Sequence, residues 1–369
     1  MKKIAIIGAS YLQLPLVLKA KEMEIETHCF AWEEGAVCRD FCDFFYPISI
    51  LDKEKILVTC KKIKIDGITS IASDAAVPTI CFVAENLGLI SNEYIDAVVT
   101  TNKYEMRKRF ELNSVNSPRF IFADKNITID SLNYPLIVKP TDRSGSRGVT
   151  RVENIEQLKD ALIIAQNESF RNQAIIEEFI HGVEASVESI SWNGEHYILA
   201  ITDKVTTGNP HFVELEHHQP SLLSSNIQKI IKEETYKALT ALNIKNGASH
   251  SEFKITEDGK VYVIEVGARM GGDFIGSDLV QLSTGFDFVK AVIEIALGNF
   301  ENPSLKNAHY SGVYFLCKQT SRINKIIQST KFYPEIIRAE ITDSTLRNIK
   351  SSSERSGYFI YQSDKKFIV

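Results

Sequence analysis

Two glutamates interrupt a stretch that otherwise has strand character. In SEFKITEDGKVYVIEV (251–266), β-branched and aromatic residues alternate around Glu252 and Glu265, with Asp258-Gly259 between them. Asp-Gly is the strongest short signal for a two-residue hairpin turn. A turn there sets Glu257 against Lys260, Lys254 against Val263 and Glu252 against Glu265, with Phe253, Ile255, Tyr262, Ile264 and Val266 forming the core side. Directly opposed residues share a face, their Cβ atoms about 4.5–5.5 Å apart. Two carboxylates so placed repel unless one is protonated or a cation lies between them. A hard divalent cation that takes oxygen ligands and binds phosphates suits the pair. The plainer alternative is a solvent-facing strand pair neutralised by Lys254. Beyond Glu265 come Gly267, Arg269 and the flexible Gly271-Gly272.

Other segments carry residues that suit phosphate and nucleotide. VKPTDRSGSRGV (138–149) sets Lys139 at a strand end, before a loop containing Ser144, Gly145, Ser146 and Gly148. Backbone N–H groups of such a loop cradle phosphate oxygens while a lysine supplies a point charge; Gly/Ser loops are also ordinary hairpin connections. IIEEFIHGVEASVE (175–188) is a strand that stops at Gly182, with Glu184 two residues on. Its main chain suits an adenine edge and its carboxylate a ribose hydroxyl; solvated glutamates are the ordinary alternative. ITDKVTTGNPHFVELEHHQP (201–220) closes a strand with Lys204 and then gathers Glu214, His217 and His218 in an expected loop between two prolines.

The elements that must position these residues follow from patterning. A chain of 369 residues has room for two or three domains. Strand and helix patterns alternate over residues 1–98, which implies a parallel sheet covered by helices on both faces. The first turn, Gly8-Ala9-Ser10, lacks the GxGxxG spacing of a dinucleotide site. The pattern changes at about residue 99 and a short tail after residue 300 reads as a small further unit, so 1–98 is an expected N-terminal α/β domain and 301–369 a small C-terminal one. The overall class is therefore mixed α/β and α+β.

A net charge of -5 with both signs interspersed argues against a nucleic-acid partner. No apolar run approaches the roughly 18 residues of a membrane span, so no membrane partner is expected. MKKIAIIGASYLQLPLVLKA opens like an export signal, but Ser10, Tyr11, Gln13 and Pro15 interrupt it and no small-residue cleavage site follows, so it is expected to be a first strand and turn. Six cysteines without a CxxC pair fit a reduced, cytoplasmic protein. Cys38 and Cys42 lack the second pair of ligands that zinc needs.

In this order the segments resemble the ATP-grasp superfamily: a lysine before a proline-terminated helix, IVKP with a Gly/Ser loop, EEFIxGxE, and two metal glutamates with ExxxRxGG. Biotin carboxylase, D-alanine–D-alanine ligase and the L-amino-acid ligases share the pattern, and the likeness covers about residues 1–300. The fold implied is an N-terminal parallel-sheet domain on the substrate side (1–98), a two-lobed ATP-grasp fold with a small lobe that carries the phosphate loop (99–180) and a large lobe that carries the metal site (181–300), and a small C-terminal α+β unit (301–369). The resemblance implies that Lys103 and Lys139 hold ATP phosphates beneath a mobile loop of Ser144, Gly145, Ser146 and Gly148. It gives Glu177, Glu178 and Ile180 the adenine hinge, Glu184 the ribose and Lys204 a further phosphate-side charge. Glu252 and Glu265 become ligands of Mg²⁺ (or Mn²⁺), and Arg269 stabilises a transferring phosphoryl group or a substrate carboxylate. Glu214 and His217, with Gly271 and Gly272, fall on the substrate side, as HFVELEH does in L-amino-acid ligases. Many relatives carry asparagine where this chain has Gly267, which leaves a water or phosphate oxygen to complete the metal shell or a second ion held more loosely. The implied activity is an ADP-forming ligase joining a small carboxylate, an amino acid, to an amine through an acyl phosphate. A bicarbonate-phosphorylating enzyme ranks second, since RPH after the metal arginine is absent; a small-molecule kinase and a non-catalytic ATP binder follow. Relatives are often dimers, which makes a homodimer one expectation.

Overall fold

The first strand, β1 (Lys3–Ile7), reads KIAII, the composition of a parallel strand covered on both sides. In the computed structural model, which describes residues 1–123, 133–306 and 309–369, that is its position. With β2 (Glu26–Phe30), β3 (Phe44–Tyr46) and β4 (Gly67–Thr69) it forms a parallel sheet of order β3-β2-β1-β4. Ile4 and Ile6 pack with Leu16, Val17 and Ala20 of α1 (Leu14–Glu22) on one face. Ala5 and Ile7 pack with Ile56 and Cys60 of α2 (Lys53–Ile63) and with Val83 and Ala84 of α3 (Val77–Leu87) on the other. Asp52 caps α2 by accepting from Lys55 N–H.

Two helices, α4 (Tyr94–Thr100) and α5 (Lys103–Leu112), lead into a second, antiparallel sheet. It comprises β5 (Phe120–Ala123), β6 (Leu136–Pro140), β7 (Thr150–Val152) and β8 (Ala174–Glu178), in the order β5-β8-β6-β7. Leu158, Ala161 and Ala165 of α6 (Ile155–Glu168) pack against it. Asn154 caps α6 through Gln157 N–H, and the Gln157 side chain accepts from Glu153 N–H.

The third sheet has eight strands: β9 (Val183–Trp192), β10 (Glu195–Thr206), β11 (Glu214–Gln219), β12 (Gly247–Ile255), β13 (Val261–Gly267), β14 (Tyr310–Leu316), β15 (Ile336–Ile341) and β16 (Gly357–Ser363). Their order is β13-β12-β9-β10-β11-β14-β16-β15. Helix α7 (Ser225–Ala241) buries Ile231, Ala238 and Leu239 against one face, on Ala185, Val187, Ile201, Phe253 and Val263. The other face carries the polar residues of the site. The C-terminal strands β14 and β16 pair onward from β11, so the C-terminal unit shares the large lobe's sheet.

The β12–β13 hairpin departs from expectation at its turn. The connection spans residues 256–260, closed by Thr256 N–H to Lys260 O and by Gly259 N–H to Thr256 O, both 2.9 Å, instead of a two-residue turn. Ile255 therefore faces Val261, Lys254 faces Tyr262 and Phe253 faces Val263. A bulge between Glu252 and Phe253 absorbs the offset, and Glu252 stands opposite Glu265. A one-residue shift exchanges the faces of a strand. Val261 and Val263 join Phe253, Ile255 and Val266 in the core, while Tyr262 and Ile264, expected there, are only partly buried.

The expected loop around Glu214 and His217 is also different: it is strand β11, bonded to β10 on one side and β14 on the other. Its neighbours satisfy its backbone, and its histidines are buried in the sheet.

Candidate active site

A cleft of about 1220 Å³, partly open to solvent, lies between the loop after β4, the start of α5, the β6–β7 loop and the polar face of β9, β10, β12 and β13. Asn102 caps α5 by accepting from the N–H groups of Tyr104 and Glu105, which fixes the helix start and with it Lys103. Lys103 Nζ donates to Arg143 O (2.7 Å) and Glu265 Oε1 (2.8 Å). One turn along the same face, the buried Arg107 donates to Ile264 O at 2.6 Å and places Nε 2.9 Å from Glu177 Oε1. Lys139, at the end of β6, sits 2.7 Å from the other Glu177 oxygen. Two cations thus share one buried carboxylate. Burial lowers the pKa of Lys139 by more than Glu177 restores. Burial acts to raise Glu177, but Arg107 and Lys139 outweigh it and keep that carboxyl below its ordinary range.

Lys204 on β10 reaches across β9 to Glu252 Oε1 at 2.8 Å, with Glu214 Oε1 at 3.8 Å. Burial opposes its charge, yet Glu252, Glu214 and Glu184 together hold its pKa above the usual value. Glu252 is half-buried, and although its burial opposes charge, Lys204 and His250 hold it well below the carboxylate range. Lys254, the neutralising partner in the plainer alternative, pairs with Glu184 on the neighbouring strand at 2.9 Å. The opposed glutamates are balanced by Lys103 and Lys204 instead.

Among the described residues no group of three or more His, Cys, Asp or Glu side chains is arranged to hold a metal. The pair of opposed carboxylates nevertheless fits Mg²⁺ or Mn²⁺, which bind through one or two carboxylates and take their remaining oxygens from water and phosphate. Glu252 and Glu265 are the residues that would hold it.

Ser144, Gly145 and Ser146 line the cleft. Gly148 does not: a Cβ at that position would come within 3.0 Å of Pro140 Cγ and Glu168 Cβ, away from the cleft. Glu178, Ile180 and Glu184 line the cleft, as does Glu177, whose side chain is committed to Lys139 and Arg107. Ile137, Phe179, Phe212, Phe253 and Ile264 supply apolar walls.

At the far end, Arg269 Nη2 lies 2.8 Å from Asp74 Oδ2. The fully buried Glu188 contacts His250 Nδ1 closely and accepts from Gly271 N–H at 3.0 Å. Burial opposes charge on His250, but Glu188 outweighs it and its pKa is pushed up to about 9. Gly271 and Gly272 line a separate pocket of about 270 Å³ with Tyr11, Ile71 and Phe274. Next to it, Arg355 donates to Asp273 Oδ2 (2.8 Å) and Glu214 Oε2 (3.2 Å). His217 is 1 % exposed and neither ring nitrogen has a hydrogen-bond partner; Asp273 Oδ2 stands 3.8 Å from Nε2. Burial lowers its pKa against the pull of Asp273, so its neutral form is favoured.

A family model described as an ATP-grasp domain matches residues 132–278. The chain carries an ATP-grasp domain. Lys139, Lys204, Glu252, Glu265 and Arg269 fall inside it, while Lys103 and Asp74 precede it. Among curated proteins, an alanine–anticapsin ligase from Bacillus subtilis (strain 168) is 27 % identical over 263 residues, 62 % of this chain and 55 % of that protein. The chain spans 55–61 % of the length of the alanine–anticapsin ligases it matches. Among solved structures, an L-amino acid ligase from Bacillus licheniformis superposes with a TM-score of 0.81 at 23 % identity, covering 99 % of this chain and 94 % of that one. A phosphoribosylglycinamide synthetase from Anaerococcus prevotii gives 0.78 at 20 %, covering 99 % and 95 %. The fold of these two enzymes is thus shared over almost the whole chain. Among the described residues, no helix is long and apolar enough to cross a membrane.

Five charged residues in or around the cleft lie outside the motifs read from sequence. Arg107 follows Lys103 by four and His250 precedes Glu252 by two, so helical and strand periodicity place each beside a recognised neighbour. Glu188, Asp74 and Arg355 carry no such local signal.

Proposed function

We propose that the protein is an ATP-dependent, ADP-forming ligase that activates a small carboxylate, an amino acid, as an acyl phosphate and joins it to an amine. The observation that carries this proposal is the convergence of Lys103, Lys139, Lys204 and Arg269 on one cleft around two opposed carboxylates. That arrangement suits a phosphoryl group whose transfer needs positioning and charge neutralisation more than covalent help. A substrate carboxylate oxygen attacks the γ-phosphorus of ATP, the bond to the β-phosphate oxygen breaks, and ADP leaves. The amine then attacks the acyl carbon and phosphate departs.

Lys139 shares Glu177 with Arg107, so a phosphate oxygen supplies the anion that this buried trio lacks. Lys103 and Lys204 move from the glutamates to the phosphates, which frees Glu252 and Glu265 for a divalent cation. The cation supplies charge neutralisation on the phosphate oxygens. Ser144, Gly145 and Ser146 cover the phosphates, and the Glu178–Ile180 segment with its apolar walls receives the adenine. Asp273 and Arg355 offer opposite charges to the ammonium and carboxylate of an amino acid. Neutral His217 accepts the proton released by the attacking amine.

The test is ADP and phosphate release from ATP with pooled amino acids, with and without bicarbonate. A ligase requires two co-substrates and releases phosphate. Release that depends on bicarbonate, ADP without free phosphate, or no turnover would each replace this reading with a different one.

A further inference from the structure

Position 267 has no room for a side chain. A Cβ there would stand 2.6 Å from Asp74 Oδ1 and 3.2 Å from Arg269 Cζ. The space is filled from another part of the chain: Asp74 belongs to the N-terminal parallel-sheet unit, in the turn that follows β4. It lines the same cleft as Glu252, Glu265 and Lys103.

We propose that Asp74 is the positioning residue of Arg269, and that Gly267 is a glycine so that a carboxylate from the N-terminal unit can take the place of a side chain beside the metal glutamates. This rests on the phosphoryl-transfer function proposed above.

Three further observations support it. Arg269 has little else to hold it: Nη1 donates to Met270 O at a long 3.3 Å, and buried Nε has no partner. Asp74 thus grips one edge of the guanidinium and leaves Nε for an incoming oxygen. Asp74 is itself held in place, because Ala72 N–H donates to Met270 O at 3.1 Å. Ala72 does so at φ 56°, a conformation costly for a residue with a Cβ and sustained only where surrounding structure enforces it. The contact couples the two units at the transfer site, so the arginine is aimed only when they are docked.

Replacing Asp74 with alanine or isosteric asparagine is expected to lower kcat for ADP release between about 10- and 100-fold, as displacement of a positioned group does, while KM for ATP changes less than about 3-fold. Gly267→Ala forces Asp74 aside and produces the same pattern. The Asp74→Ala/Gly267→Ala pair is expected to be no worse than either single change, since both break one contact. Asp74→Ala/Gly267→Asn, which offers an amide oxygen in the vacated space, recovers part of kcat. A readout independent of turnover is the rate at which phenylglyoxal modifies Arg269, followed by peptide mass mapping; it rises in Asp74→Asn and Gly267→Ala. Unchanged kcat and unchanged Arg269 modification in Asp74→Asn, or additive effects of the two single changes, would overturn the proposal. If wild-type protein releases no ADP with any amino-acid pool, the ligase reading fails, and the phenylglyoxal comparison still decides whether Asp74 positions Arg269.

Discussion

Glu252 and Glu265 face one another across a hairpin, and a lysine from a different element holds each at 2.8 Å: Lys204 from β10 and Lys103 from α5. Neither lysine is a near neighbour in sequence. The two ion pairs balance the charge that the opposed carboxylates would otherwise concentrate, and all four groups are those that ATP and a divalent cation would claim. In the proposed ligase, ligand binding would be an exchange of partners, with the lysines passing to phosphate and the glutamates to the cation.

Glu265→Gln should therefore separate catalysis from stability. The amide keeps the shape and still accepts from Lys103, which also retains Arg143 O. Its lost charge weakens the cation site. Divalent-ion-dependent ADP release should fall by about 100-fold or more, with a melting temperature near that of the wild type. Full turnover in Glu265→Gln would remove Glu265 from the cation site.

The Arg107–Glu177–Lys139 trio makes a different prediction about its two cations. Arg107 is fully buried, ion-paired with Glu177 and hydrogen-bonded to Ile264 O, so Arg107→Met leaves a carbonyl and a half-paired carboxylate in the interior. Breaking such a pair costs about 3–5 kcal/mol. Lys139→Met leaves Arg107 on Glu177 and should cost less in stability while weakening ATP binding more. Denaturant unfolding and nucleotide titration read the two effects, and the reverse ranking would assign the phosphate-side charge to Arg107.

How much of this was legible in sequence depends on the distance over which each contact acts. Strand alternation and Asp258-Gly259 brought Glu252 opposite Glu265, although the longer connection and the bulge that cancel one another leave no mark in composition. Lys139 before a Gly/Ser loop was visible because both lie in one hairpin. Arg107 and His250 were within reach of the same periodicities, four residues from Lys103 and two from Glu252. Asp74 and Arg269 are separated by 195 positions, and Arg355 and Asp273 by 82. Such pairings are set by packing between units, which no local period records. The β11 segment misled for a related reason: prolines and histidines suggest a loop, yet partners on both sides bury it as a strand.

The two glycines after Met270 are not equivalent. A Cβ on Gly271 would collide with Glu188 Oε1 and come within 2.8 Å of His250 Nδ1, and Glu188 is fully buried with nowhere to move. On Gly272 the nearest atom is Ala72 Cβ at an ordinary 3.5 Å. Gly271→Ala should thus destabilise the fold by about 1–3 kcal/mol through overpacking of a charged pair, and Gly272→Ala should remain within about 0.5 kcal/mol of wild type. Thermal melts of the two variants side by side give the comparison. Equal melting temperatures would mean that the loop after Met270 relaxes freely around Glu188.

His218 gives the protein an acid-sensitive joint between the large lobe and its C-terminal strands. Its Nδ1 lies 3.0 Å from the Tyr361 hydroxyl on β16, and its Nε2 lies 3.0 Å from Glu216 Oε2. A neutral ring satisfies both contacts, with Nε2–H donating to the carboxylate and Nδ1 accepting from the phenol. Burial lowers the pKa of His218, and the opposing pull of Glu216 does not restore it. The folded value therefore lies below the ordinary histidine value near 6.5 in the unfolded chain. Below that value the unfolded state binds more protons than the folded one, so stability rises with pH through this window. The contribution is fully present above about 6.5 and is lost as pH falls through the folded pKa. His218→Gln removes the titration and keeps a polar side chain beside Tyr361. The wild-type melting temperature should drop between about pH 7 and pH 5 by more than that of His218→Gln. Parallel pH profiles for the two proteins would show that the acid sensitivity arises at other histidines, such as the buried His28 or the half-buried His196, whose pKa values burial also lowers.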